Sequence, residues 1–228
     1  MKKTILITGA SGNLGKVSVE KFISEGYNVV ATVSPGKGLG FEANAKTYEA
    51  DLINENGTQE VIAKIISDHK KIDAALLLVG GFAMGGIKET DGASLKKMFS
   101  LNFETAFNVA RPVFLHMQKE SIAGRIILVG ARPALIPSAG KGLVAYGLSK
   151  SLLFKLAEYL NAEGSAQNIV TSVIVPSTID TPENRKGMPN ADFAAWVTPE
   201  AIAETMSFIV SSKSSPLRDP VFKLYGKS

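Results

Sequence analysis

Thr4-Ile5-Leu6-Ile7-Thr8-Gly9-Ala10-Ser11-Gly12-Asn13-Leu14-Gly15 passes from an unbroken aliphatic run into a glycine-rich turn and then into a helical pattern. A short run that is apolar at every position suits a strand buried on both faces of a parallel sheet. Glycines at the turn let the chain bend tightly, bring backbone N–H groups up to a pyrophosphate and place that anion at a helix N-terminus. Taken alone, such a run could equally be a glycine-rich helix cap. As the first strand-to-helix turn of an alternating chain it reads as a dinucleotide site, with Gly9, Ser11, Gly12, Asn13, Leu14 and Gly15 around the phosphates.

The rest of the chain supplies that alternation. Strand-like runs recur at Thr4 to Thr8, Asn28 to Val33, Ala74 to Val79, Arg125 to Val129 and Ile169 to Val175, mostly apolar throughout. Helical patterns lie between and after them, at Leu14 to Glu25, Glu55 to His69, Leu95 to Lys119 and Ala145 to Glu163, with His116 expected on the outer part of the long helix. This order predicts an α/β fold, a single doubly wound Rossmann domain over residues 1–228 with a mainly parallel sheet flanked by helices. Ligands of such sheets bind outside the carboxyl ends of the strands.

Composition narrows the chemistry. The 228 residues include no cysteine, which excludes disulfides, a thiolate nucleophile and cysteine-ligated metals. His69 and His116 stand far apart without ligand spacing, so no metal is expected. The net charge of +4 comes from scattered lysines, which argues against a nucleic-acid surface. No apolar run reaches membrane-spanning length, and Ile5-Leu6-Ile7 is too short for a targeting core. A cytoplasmic protein that acts on a small molecule is the expectation.

About 20 residues beyond a glycine loop, an acid usually holds the ribose of NAD, whereas a basic residue accepts the 2′-phosphate of NADP. The second strand instead runs out through Ser34-Pro35-Gly36-Lys37 with no carboxylate at its end. Ser34 and Lys37 could receive a phosphate, so the coenzyme is expected to be NADP or NAD, with NADP favoured. The competing reading leaves Lys37 as decoration on a mobile loop.

Further on, Ala145-Tyr146-Gly147-Leu148-Ser149-Lys150 sets a phenol and an ammonium four residues apart where the pattern turns helical, and so on one face. A nearby cation favours phenolate, and the pair can work as a tuned proton donor. With the glycine loop, this Y-x-x-x-K makes the chain resemble the short-chain dehydrogenase/reductase family over essentially its whole length. The resemblance implies roles for other positions. Asp51-Leu52 would hold the adenine ring, Asn102 would be the tetrad asparagine, and Pro176 and Thr181 would lie near the nicotinamide. Tyr146 would give the proton, while Lys150 would hold the nicotinamide ribose and depress the tyrosine's pKa. Family members commonly pair as homodimers or homotetramers through the long helix and the Tyr helix, where Phe99, Phe103, Phe107 and Phe114 suit subunit contacts or core equally.

The departures from the family pattern are informative. A serine normally stands before the Tyr helix, but counting back thirteen from Tyr146 gives Pro133, and aligning on Leu128-Val129-Gly130 gives Ala131. Val79-Gly80-Gly81 replaces the usual Asn-Ala-Gly, with Gly80 and Gly81 still expected beside the coenzyme. Alanine for the serine, Gly80-Gly81-Phe82, and the stretch from Asp180-Thr181-Pro182-Glu183-Asn184-Arg185 to Trp196 look like the dihydropteridine reductase branch. That resemblance implies hydride transfer from NAD(P)H to a small carbonyl or imine, a quinonoid dihydropterin in the sharpest form. Phe82 and Trp196 could stack on a flat substrate, Ala131 would line its pocket, and Ser138 could replace the missing hydroxyl. Arg132 and Arg185 could meet an acidic substrate or simply be solvated. The missing serine also allows a catalytically weak regulatory or scaffold protein of the same fold.

Overall fold

The aliphatic runs become the middle of a seven-stranded sheet, parallel throughout, with strand order 3-2-1-4-5-6-7. The computed structural model describes residues 2–227. In chain order the elements are β1 (Thr4–Thr8), α1 (Asn13–Ser24), β2 (Asn28–Val33), β3 (Lys46–Glu49), α2 (Glu55–His69), β4 (Ala74–Leu77) and α3 (Gly92–Phe99). A π-helical turn over Ser100–Glu104 leads into α4 (Thr105–Lys119). Then come β5 (Arg125–Val129), the short α5 (Arg132–Leu135), α6 (Val144–Gly164), β6 (Val170–Pro176), the short α7 (Pro182–Gly187), α8 (Pro199–Val210) and β7 (Val221–Leu224).

Alternate residues of each central strand point to opposite faces, which explains why the runs are apolar at every position. Leu6, Val30, Leu77, Ile126, Leu128 and Val173 pack against Ile62 and Ile65 of α2, Val109 and Val113 of α4, and Leu153 and Leu156 of α6. Ile5, Ile7, Val29, Leu76, Ile127 and Ile174 face Val19 and Phe22 of α1 and Ile202 and Met206 of α8. Burying each such side chain contributes roughly 1.5–3 kcal/mol, so two cores on one sheet hold the strand ends in a fixed frame.

Neither edge strand shows an aliphatic run in the sequence: β3 is implied only by the family resemblance that puts Asp51 after a third strand, and β7 has no signal, because neither is deeply buried. In β3 (Lys-Thr-Tyr-Glu) only Tyr48 is buried, its hydroxyl donating to Asp68 Oδ2 at 2.7 Å. Along β7 no residue is fully buried. Helix α8 was also missed, although Thr198 accepts a hydrogen bond from Ala201 N and Pro199 occupies the first turn. Strand β4 stops at Leu77 rather than Val79, since the next amide, Leu78 N, donates to Thr8 Oγ1 at 3.0 Å. The expected long helix starts earlier, capped by Asp91, and is interrupted by the π turn. His116 does not lie on the outer side of that helix. It is 9% exposed, and burial holds its pKa below the usual histidine range.

The sheet order reverses at β1, which pairs with β2 on one side and β4 on the other. The turns after β1 and β4 therefore lie side by side at the switch point, where this architecture opens its crevice.

Candidate active site

At the switch point the glycine turn is fixed by its neighbours. Gly9 adopts φ +64°, and a Cβ there would stand 3.1 Å from the Val79 side chain. At Gly15 a Cβ would overlap the Gly9 carbonyl oxygen and the Ala10 backbone, so no other residue fits. Helix α1 begins at Asn13 without a side-chain cap and with no acid in its first turn. Such an end presents open N–H donors and the positive end of the helix dipole. These features fit a dinucleotide's pyrophosphate. Asn13 turns its amide away to donate to Glu183 Oε2 at 2.6 Å, tying α7 across the mouth of the crevice.

The adenosine end lies beyond β2 and β3. Ser34 to Lys37 form a tight turn closed by Lys37 N donating to the Ser34 carbonyl at 3.0 Å, with Pro35 second and Gly36 third at φ +73°. Proline followed by a positive-φ glycine is the type II preference. Both Ser34 and Lys37 are exposed. A carboxylate that the sequence reading missed reaches this loop from the neighbouring strand, Glu49 Oε2 accepting from Gly36 N at 2.9 Å. Nothing in the spacing of β2 could have shown it, because it arrives through the β2–β3 pairing. Asp51 is exposed at the end of β3, and Leu52 beside it is buried.

Asn102, fully buried in the π turn, binds the β4 loop with both ends of its amide. Its Oδ1 accepts from Gly81 N at 2.9 Å, and its Nδ2 donates to Gly81 O at 3.1 Å and Ser149 Oγ at 3.0 Å. Ser149 Oγ donates in turn to the Tyr146 carbonyl at 2.8 Å. Gly80 closes this packing, for a Cβ there would lie 2.7 Å from Asn102 Oδ1 and 3.1 Å from Lys150 Nζ. Thus Gly80, Gly81, Asn102 and Lys150 meet in one volume, and Ser149 links it to the backbone of Tyr146.

The electrostatics differ from the expectation of a depressed phenol. Lys150 is 6% exposed and donates to the Val129 carbonyl at 2.7 Å, and burial lowers its pKa to about 8. Burial pushes Tyr146 up to about 12. Desolvation is the cause in both groups, disfavouring the charged form of each. The phenol is therefore held protonated through the neutral range, and its desolvation disfavours the phenolate that proton release would leave.

Other positions divide. Pro176 ends β6, and Thr181 caps α7 by accepting from Asn184 N at 3.2 Å. Ala131 is buried at the end of β5 and offers no hydroxyl, while the Phe82 ring meets Tyr146 edge-on at 5.1 Å. Ser138 and Trp196 fare differently. Ser138 is exposed on a 3₁₀ turn. Trp196 packs on Phe193 at 4.8 Å, and Phe193 carries Arg185 at 4.9 Å, so the 180–196 stretch spends these side chains on its own folding.

The family model for short chain dehydrogenases matches residues 3–191. The chain belongs to this family. It is an NAD(P)-dependent oxidoreductase by that membership. A dihydropteridine reductase of Dictyostelium discoideum is 30% identical over 235 residues, covering 100% of this chain and 96% of that one. Among solved structures, ElxO with NADP bound superposes with a TM-score of 0.89 at 22% identity, covering 99% of this chain and 98% of the other. An NAD+-bound xylitol dehydrogenase gives 0.86 at 18% identity and covers 98% of each.

Burial of a charged Lys150 carries a stability penalty. Its folded pKa lies below the unfolded value, so unfolded chains hold the extra proton between about pH 8 and 10.5 and stability rises with pH across that window. Lys150→Met removes the penalty but leaves the Val129 carbonyl without its donor. At pH 7 the substitution should stabilise the fold by about 1–2 kcal/mol while abolishing turnover. Thermal unfolding of both proteins from pH 7 to 10.5 checks this, the advantage shrinking as pH rises.

Proposed function

We propose that the protein reduces a planar conjugated carbonyl or imine, of the quinonoid dihydropterin type, with Tyr146 as proton donor. The observation that carries this reading is a half-buried, protonated phenol packed edge-on against Phe82, one helical turn from Lys150, at a site with alanine where a substrate-polarising serine is expected. A nicotinamide coenzyme, when bound, supplies the hydride. Tyr146 releases its proton to the nitrogen or oxygen that gains electron density. Lys150, one helical turn from Tyr146, would favour the phenolate left behind, and Asn102 holds the Gly81 backbone and Ser149 so that both stay in register. In a quinonoid ring the incoming electron pair spreads over several atoms, and a lone oxyanion donor such as serine matters less. Proton delivery by a positioned acid contributes about 10²–10⁴-fold.

The 30% likeness to a dihydropteridine reductase over the whole chain supports the substrate class. The test is coenzyme oxidation at 340 nm (from the reduced nicotinamide) with quinonoid dihydropterin, and enzyme-dependent consumption is expected. None with either coenzyme would remove this substrate.

For the coenzyme, Ser34 and Lys37 favour NADPH, while Glu49 stands on the same turn, engaged by Gly36 N. Lys37→Ala should weaken NADPH binding by roughly 3–10-fold and leave NADH unchanged, the scale of one partly exposed charge contact. Equal losses for both coenzymes would contradict a 2′-phosphate contact.

Two copies are proposed to pair across α3 and α6. Leu95, Phe99, Leu148 and Leu152 line an open groove of about 370 Å³, and Leu148 is 55% exposed. Of the four phenylalanines considered for this role, Phe99 is at this surface, Phe114 is core, and Phe103 and Phe107 pack partly buried against the core. Leu148→Glu should yield monomers in sedimentation equilibrium, and an unchanged mass would place the contact elsewhere.

A further inference from the structure

Three arginines stand at or near strand ends, and their charges are met in different ways. Arg185 is paired by Asp180, which accepts at 2.6 and 2.7 Å. Arg125, at the start of β5, is buried but donates to the carbonyls of Gly124 and Asn168 at 2.9 and 3.0 Å. Arg132 has neither arrangement. It is half-buried at the first position of α5, directly after Ala131, and its guanidinium lies 4.9 Å over the Tyr225 ring. Its Nε is buried without a hydrogen-bond partner, and among the described residues no carboxylate forms an ion pair with it. A ring face attracts and flattens a guanidinium but does not satisfy its N–H groups. Buried donors are normally paired, and a half-buried cation without a counter-charge is costly.

The location gives this unmet charge a use. Ser177, next after Pro176 of β6, donates through its hydroxyl to the Tyr225 carbonyl at 2.9 Å, so Arg132 and Tyr225 sit at the carboxyl ends of β5, β6 and β7. That is the end of the sheet on which Tyr146 opens α6, and Arg132 is one residue from the alanine that offers no hydroxyl. We infer that Arg132 is a specificity-determining residue, its guanidinium receiving a negatively charged oxygen on the edge of a planar substrate. The inference rests on reading this cleft as the reductase's substrate site. Held flat by Tyr225 with Nε buried, the guanidinium offers its remaining N–H donors in one plane, an arrangement suited to a carboxylate. It would orient the substrate rather than transfer a proton.

Benzoate and benzamide serve as planar probes differing in charge. Their binding to the enzyme saturated with oxidised coenzyme can be followed by the fluorescence of Trp196, the single tryptophan. The wild type should prefer benzoate by about tenfold or more, the scale of a charge-assisted hydrogen bond. Arg132→Gln should erase the preference while coenzyme affinity stays within about twofold, and Arg132→Lys should retain part of it. A wild type that binds both probes alike or neither, a Gln variant that keeps the preference, or one that loses coenzyme affinity in parallel would overturn the assignment. Failure of the wild type to reduce quinonoid dihydropterin removes the pterin reading and leaves this comparison intact.

Discussion

One buried amide ties the candidate site together. Asn102 engages both backbone groups of Gly81 and the hydroxyl of Ser149, so the turn after β4, the π turn and the start of α6 cannot move independently. A regular α-helix would direct the side chains near residue 102 along a different path, and the local widening to π geometry is the feature that interrupts the helix here. Gly80 is part of the same constraint, because a side chain there would press on Asn102 and Lys150. The proton transfer proposed for Tyr146 therefore depends on an interaction that never touches the phenol.

The same tightness sets the energetics. Lys150 is buried and donates to the Val129 carbonyl, and Tyr146 is desolvated and lies above its ordinary pKa. Neither arrangement favours folding. The phenol stays protonated before substrate arrives, and Lys150, one turn along the same helix, is the charge available to the phenolate that proton release would leave. The two apolar cores on opposite faces of the sheet supply the stability against which this expense is carried.

Much of this was legible in the sequence, for physical reasons that differ by element. Aliphatic runs at β1, β2, β4, β5 and β6 announce a buried parallel sheet, because strands covered on both faces need apolar residues at every position. Edge strands β3 and β7 meet no such requirement and carry no such signal. The glycine turn and Tyr146 with Lys150 are short-range patterns, readable because their residues are neighbours in the chain. Glu183 on Asn13, Glu49 on Gly36 and Tyr225 under Arg132 are contacts between distant segments, and no spacing rule points to them. The sign of the Tyr146 shift was misjudged for a related reason. Spacing places a lysine on the same helix face, but it does not show the desolvation that raises the phenol's pKa.

The most direct test of the account is single-turnover hydride transfer in Tyr146→Phe, with coenzyme affinity measured on the same protein. If the phenol is the proton donor, transfer should slow by about 10²–10⁴-fold while coenzyme affinity is unchanged. Transfer at the wild-type rate in a variant that still binds coenzyme would contradict it, and the proton would have to come from another group.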